Sequence, residues 1–80
     1  MIALKPENVV DVLFGNRLRQ LLDERNISQA HFADRIGVSR SRMNNYVAQR
    51  SEPDYATLIR IANTLDTSID FLLGKSEHQL

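Results

Sequence analysis

The chain has 80 residues, with ten Lys and Arg against ten Asp and Glu, so its formal charge is zero; it has two His, no Cys and no Trp. That length suits one domain built on one small core, and the missing Cys excludes a disulfide framework or a cysteine-based metal site. No apolar run reaches the ~18 residues of a membrane span, no signal peptide follows Met1, and a cytoplasmic setting is expected.

Residues 1–13 read as an N-terminal extension. Pro6 followed by Glu7 resembles a helix start, and Val9, Val10 and Leu13 either extend the first helix or form a separate turn. From residue 14, Phe14, Leu18, Leu21 and Leu22 recur at helical spacing, with Arg17, Arg19 and Asp23 on the other faces and Asn26 as a stop. Ser28 can cap a second helix whose apolar residues are Phe32, Ala33 and Ile36. Gly37 ends it, because glycine accepts the left-handed conformation common at helix C-termini. Ser39 is again a good cap, and residues 40–48 place Met43, Tyr46 and Val47 on one face of a third helix. Ser51, Glu52 and Pro53 break the chain. Asp54 caps a fourth segment with Tyr55, Leu58, Ile59, Ala62 and Leu65 at helical spacing. Thr67 and Asp70 suggest a capping box before a short last helix with Ile69, Leu72 and Leu73, closed by Gly74. Residues 75–80 read as a mobile tail. No alternating strand pattern or hairpin dipeptide is present, so the fold class is all-α.

Zero net charge hides an asymmetry. Residues 28–50 carry Arg35, Arg40, Arg42 and Arg50 against Asp34 alone, a local excess of +3, while residues 51–80 sum to −3. A polyanion responds to such a local field rather than to the total.

The second and third segments form a helix-turn-helix pattern: two short helices, each with one apolar face, joined by a tight turn at Gly37. Ala33 is small enough for the next helix to cross closely, and Val38 locks the angle from inside the turn. With Met43 and Tyr46 anchored inward, Arg40, Ser41, Arg42, Asn44 and Asn45 face outward. Arg suits guanine, Asn adenine and Ser either, so these are donors and acceptors of the kind that read base edges. The duller alternatives are a solubilising role for the arginines and a surface position for Asn44. His31 and Asp34 share a helical face, but two ligands do not make a metal site, and His78 in the tail suggests nothing. No nucleophile–base arrangement or phosphate-cradling glycine loop is present, so no enzyme, cofactor or small-molecule substrate is expected.

The segments NRLRQLL at 16–22, ISQAHFADRIGVSRS at 27–41, NY at 45–46, EPDYATLIRIA at 52–62 and IDFLLG at 69–74 together resemble the lambda-repressor/Cro-type (XRE-like) helix-turn-helix family over residues 14–74. The resemblance implies a compact five-helix bundle. It implies a transcriptional regulator of bacterial or phage origin, commonly a homodimer on a near-palindromic operator in double-stranded DNA, with the third helix in the major groove. By position, Arg40, Ser41 and Asn45 match base-reading sites. Gln29 matches a residue that touches phosphate and braces the recognition helix, and Arg50 and Ser51 fall in a phosphate-contacting loop. Ser39 at the helix start and the Tyr46 hydroxyl are further phosphate candidates, although Tyr46 reads first as a core anchor. The family often has Glu and Gly where this chain has Val47 and Gln49. That Glu pairs with an Arg whose register here is Leu22, so an apolar contact is expected in place of an ion pair. Ile69, Phe71 and Leu72, with Val9, Val10 and Leu13, form the candidate dimer face, and core packing explains the same residues. The leading expectation is a repressor. The alternative is an antitoxin or adaptor that binds chiefly another protein.

Overall fold

The computed structural model describes the backbone of residues 6–74 and the side chains of residues 14–74. Among these residues there are five helices and no strand: α1 (Pro6–Glu24), α2 (Gln29–Ile36), α3 (Arg40–Val47), α4 (Tyr55–Thr64) and α5 (Ile69–Leu72). The backbone of α1 starts at Pro6 and runs unbroken through residue 14, so the chain enters the bundle along one continuous helix. The side chains of Val9, Val10 and Leu13, and the whole of the 75–80 tail with His78, lie outside the described residues.

Each later helix starts in the same way. Ser28, Ser39, Asp54 and Ser68 sit in extended backbone, and each side chain accepts from the N–H three residues on: His31, Arg42, Thr57 and Phe71, at 2.9–3.0 Å. A cap of this kind satisfies one of the donors a helix start leaves unpaired. The cap of α5 is Ser68, not Thr67. Thr67 belongs to the end of α4, where its N–H donates to the Ala62 carbonyl at 2.9 Å, and it is buried.

The stops also share one geometry. Asn26, Gly37, Gln49 and Asp66 all have φ between 55° and 83°, and the residue after each donates back five positions: Ile27 to Leu22, Val38 to Ala33, Arg50 to Asn45 and Thr67 to Ala62, at 2.9–3.1 Å. This left-handed closure collects carbonyls that would otherwise lack donors. At Ile27 and Val38 it also drops an apolar side chain against the core.

Phe14, Leu18, Leu21 and Leu22 from α1 meet Phe32, Ala33 and Ile36 from α2, and Met43, Tyr46 and Val47 from α3. Ile61, Ala62, Leu65, Phe71 and Leu72 close the other side. The buried stripe of α4 runs through Thr57, Ile61, Ala62 and Leu65, with Leu58 and Ile59 half-buried. Tyr55, expected on that stripe, is 74% exposed. It opens the helix, off the line through Ile61 and Leu65, and no preceding turn lies beside it.

Two residues in this core answer the family departures. Leu22 and Val47 are both buried in the same apolar cluster, as the exchange of an ion pair for an apolar contact requires. Gln49 adopts φ 65°, the conformation a glycine would take there. Its Oε1 accepts from the backbone N–H of Gly15 at 3.2 Å, so the residue replacing the glycine is tied across to α1.

Candidate nucleic-acid interface

The local sequence decides which face α3 shows. Met43, Tyr46 and Val47 are spaced to lie together, and all three are buried. Arg40, Ser41, Arg42 and Asn44 are exposed and Asn45 is half-exposed. The Ser39 cap fixes where this face begins, and the two residues Val38 and Ser39 after Gly37 fix how it leaves α2.

The exposed side chains are not independent. Arg40 reaches back to α2, where its Nη2 donates to Asp34 Oδ2 at 2.8 Å and its Nε donates to Oδ1 at 3.4 Å. The bond from Arg40 holds the Asp34 carboxyl below the usual carboxylate range and pushes the guanidinium upward. At the other end of the helix, Arg50 Nε donates to Asn45 Oδ1 at 3.1 Å and Arg50 Nη2 to Asn44 Oδ1 at 3.4 Å. Each asparagine oxygen thus accepts from Arg50, and each amide keeps its two N–H donors and a second lone pair on the oxygen.

The phosphate candidates divide by position. Gln29 is the half-buried first residue of α2. The Ser39 oxygen is used as the α3 cap, which leaves its hydroxyl hydrogen for another acceptor. Arg50 and Ser51 are exposed in the loop after α3, but Arg50 folds onto the recognition helix rather than projecting away from it. The Tyr46 ring is only 3% exposed, so it anchors the core and cannot stack on a base.

Of the candidate dimer residues, Phe71 and Leu72 are buried within their own chain, and the guanidinium of Arg17 covers the Phe71 ring at 4.3 Å from its centroid. Only Ile69 of the three keeps solvent-facing surface. Asp34, noted in the sequence beside His31, is the functional candidate whose role the sequence did not reveal. Its partner lies across the turn on the next helix, and no helical periodicity predicts that meeting.

A helix-turn-helix family model matches residues 18–72. The chain belongs to the XRE-type helix-turn-helix family. It is similar to the HTH-type transcriptional regulator YqaE of Bacillus subtilis (36% identical over 69 residues, 85% of this chain and 60% of that protein). It is also similar to the prophage-derived HTH-type regulator YonR of the same organism (38% over 67 residues, 84% and 62%) and to its HTH-type transcriptional regulator ImmR (30% over 63 residues, 79% and 50%). The chain thus spans about three-fifths of the length of the first curated relatives it matches. No solved structure matches it. Membership places the chain among the helix-turn-helix, DNA-binding domains of transcription regulators. No described helix is long and apolar enough to cross a membrane.

Proposed function

We propose that the chain is a sequence-specific, double-stranded-DNA-binding regulator that acts in the cytoplasm as a repressor, occluding a promoter by laying residues 40–48 in the major groove of a near-palindromic operator. The observation that carries this reading is the division of α3: Met43, Tyr46 and Val47 buried, and Arg40, Ser41, Arg42 and Asn44 exposed with no acidic residue on the helix itself. Arg40, Ser41, Arg42, Asn44 and Asn45 supply base contacts. Gln29, Ser39, Arg50 and Ser51 supply phosphate contacts, with N–H groups at the start of α2 suited to the same anion. A single module of this size buries too little DNA for high affinity, so two copies bind half-sites about one helical turn apart. Of the candidate dimer residues, Ile69 is half-buried and keeps surface available to their contact.

Selection of bound duplexes from random DNA tests the reading. A recovered motif with two related half-sites supports it, and Arg40→Ala then flattens one position of each half-site and lowers affinity roughly ten- to hundredfold. A protein that recovers no motif, or whose motif survives Arg40→Ala and Asn45→Ala unchanged, overturns the assigned reading face. Sedimentation that shows monomer at high concentration and on operator DNA overturns the dimer.

A further inference from the structure

Asp34 is the only acidic residue between positions 28 and 50. By charge alone it weakens attraction to a phosphate backbone, and it lies at the mouth of the proposed interface. Its geometry gives it a different use. An arginine side chain carries five N–H donors in a planar fork, and the fork has two usable edges. Asp34 takes the inner edge, Nε and Nη2, with one oxygen on each nitrogen. The outer edge, Nη1 and Nη2, keeps two parallel N–H groups free. That edge matches the O6 and N7 acceptors of guanine in the major groove.

We propose that Asp34 is a specificity-determining positioning residue: its carboxylate, held out from α2, fixes the plane and direction of the Arg40 guanidinium so that the outer edge grips guanine and rejects other bases. This rests on the DNA-reading role proposed above for Arg40. Both side chains are more than half exposed, 67% for Arg40 and 57% for Asp34, so the pair contributes little to folding. What it removes is rotamer freedom. A long, unbraced arginine can swing to a phosphate, which binds every sequence alike. A braced one presents one edge to one place, and ordering done in the free protein is not charged again on binding.

The probe is the duplex selected by the unmodified chain, compared with the same duplex carrying A·T in place of G·C at the position that Arg40→Ala flattens, and with random-sequence DNA. Asp34→Asn keeps the shape and removes the charge. It is expected to lower the G-over-A affinity ratio about tenfold, while affinity for random DNA rises a few-fold because a negative charge has left the interface. In an Arg40→Ala background, Asp34→Asn leaves the ratio unmoved. If operator and random DNA instead gain affinity together at a constant ratio, Asp34 is a simple repulsive charge and the proposal is overturned while the reading face stands. If Asp34→Asn changes the ratio equally with and without Arg40, the action does not run through Arg40 and the proposal is likewise overturned. If Arg40→Ala flattens no position, both the reading face and the bracing role fall.

Discussion

Gly15 on α1 and Gln49 after α3 are joined across 34 residues by one hydrogen bond, from a backbone N–H to a side-chain amide oxygen at 3.2 Å. The absence of a side chain at 15 makes room for it. A Cβ there would run into the Gln49 side chain and stand 2.6 Å from the Val47 carbonyl oxygen. The position where the recognition helix ends is therefore set partly by a residue on the first helix.

Gly15→Ala separates two opposed effects. Helix propensity favours alanine by about 1 kcal/mol, whereas overpacking against a fixed backbone carbonyl costs about 1–3 kcal/mol. The carbonyl cannot swing aside as a side chain can, so a net loss of about 1–2 kcal/mol is expected in urea unfolding. Gln49→Gly alone is expected near neutral: relief of the left-handed strain, about 1 kcal/mol, offsets a lost hydrogen bond of similar size. Combined with Gly15→Ala it rescues only part of the loss, because the Val47 oxygen stays in place.

Arg50→Ala distinguishes a phosphate contact from a brace. A residue that only touches phosphate reduces the salt slope of binding by about one unit and leaves base preference intact. Since Arg50 holds the carbonyl oxygens of Asn44 and Asn45, its loss frees both amides. Base preference at their positions is then expected to shift in a repeat of the random-DNA selection. A changed slope with an unchanged motif would count against the bracing role.

Ser39 carries two duties that substitution can separate. Ser39→Ala removes the cap on the Arg42 N–H and is expected to cost about 1 kcal/mol of stability. Ser39→Asp keeps a capping oxygen but sets a negative charge where phosphate is expected. It should unfold at the denaturant midpoint of the unmodified chain and yet bind DNA several-fold more weakly, read by titration at fixed salt.

Acid stability follows chiefly from one capping carboxylate, Asp54. Hydrogen bonds from the side chain and backbone N–H of Thr57 hold Asp54 below the usual range, with Arg60 and Arg42 adding their fields, and Arg40 holds Asp34 low. The unfolded chain takes up these protons first as pH falls, at the ordinary carboxylate value near about pH 4. The Asp54 contribution is therefore complete above that value and disappears as pH drops through the lower folded-state value, while the exposed Asp34–Arg40 pair adds little. Denaturant unfolding at pH 7, 4 and 3 should show a falling midpoint, and Asp54→Asn, which retains a capping oxygen, should flatten that fall.

Local chemistry was readable from the chain and long-range chemistry was not. The caps at Ser28, Ser39 and Asp54 and the stop at Gly37 follow from what serine, aspartate and glycine do to their own neighbours. The outward face of α3 follows from the spacing of Met43, Tyr46 and Val47. Gln49 is a poor signal for a left-handed stop because glutamine rarely takes that conformation and its fixed partner Gly15 lies far away in sequence, whereas Asp66 is of a type that tolerates left-handed backbone. The misplacement of Tyr55 came from extending a helical stripe into a first turn where no neighbour lies above it. The Asp34–Arg40 pair forms between two helices whose crossing the sequence implies but does not measure.

The link between α2 and α3 has a mechanical result. Gly37 and Val38 both donate to the Ala33 carbonyl, at 3.0 and 3.1 Å, while Ser39 accepts from Met43 at its carbonyl and from Arg42 at its hydroxyl, each at 3.0 Å. Every residue of the connection is bonded into one helix or the other, and Val38 packs against the core that Ala33, Ile36, Met43 and Tyr46 share, so the angle between the two rods is set by apolar packing. For the DNA-reading role proposed above, a pair of helices set by packing predicts that easily deformed pyrimidine–purine steps alter affinity at base pairs that no side chain touches.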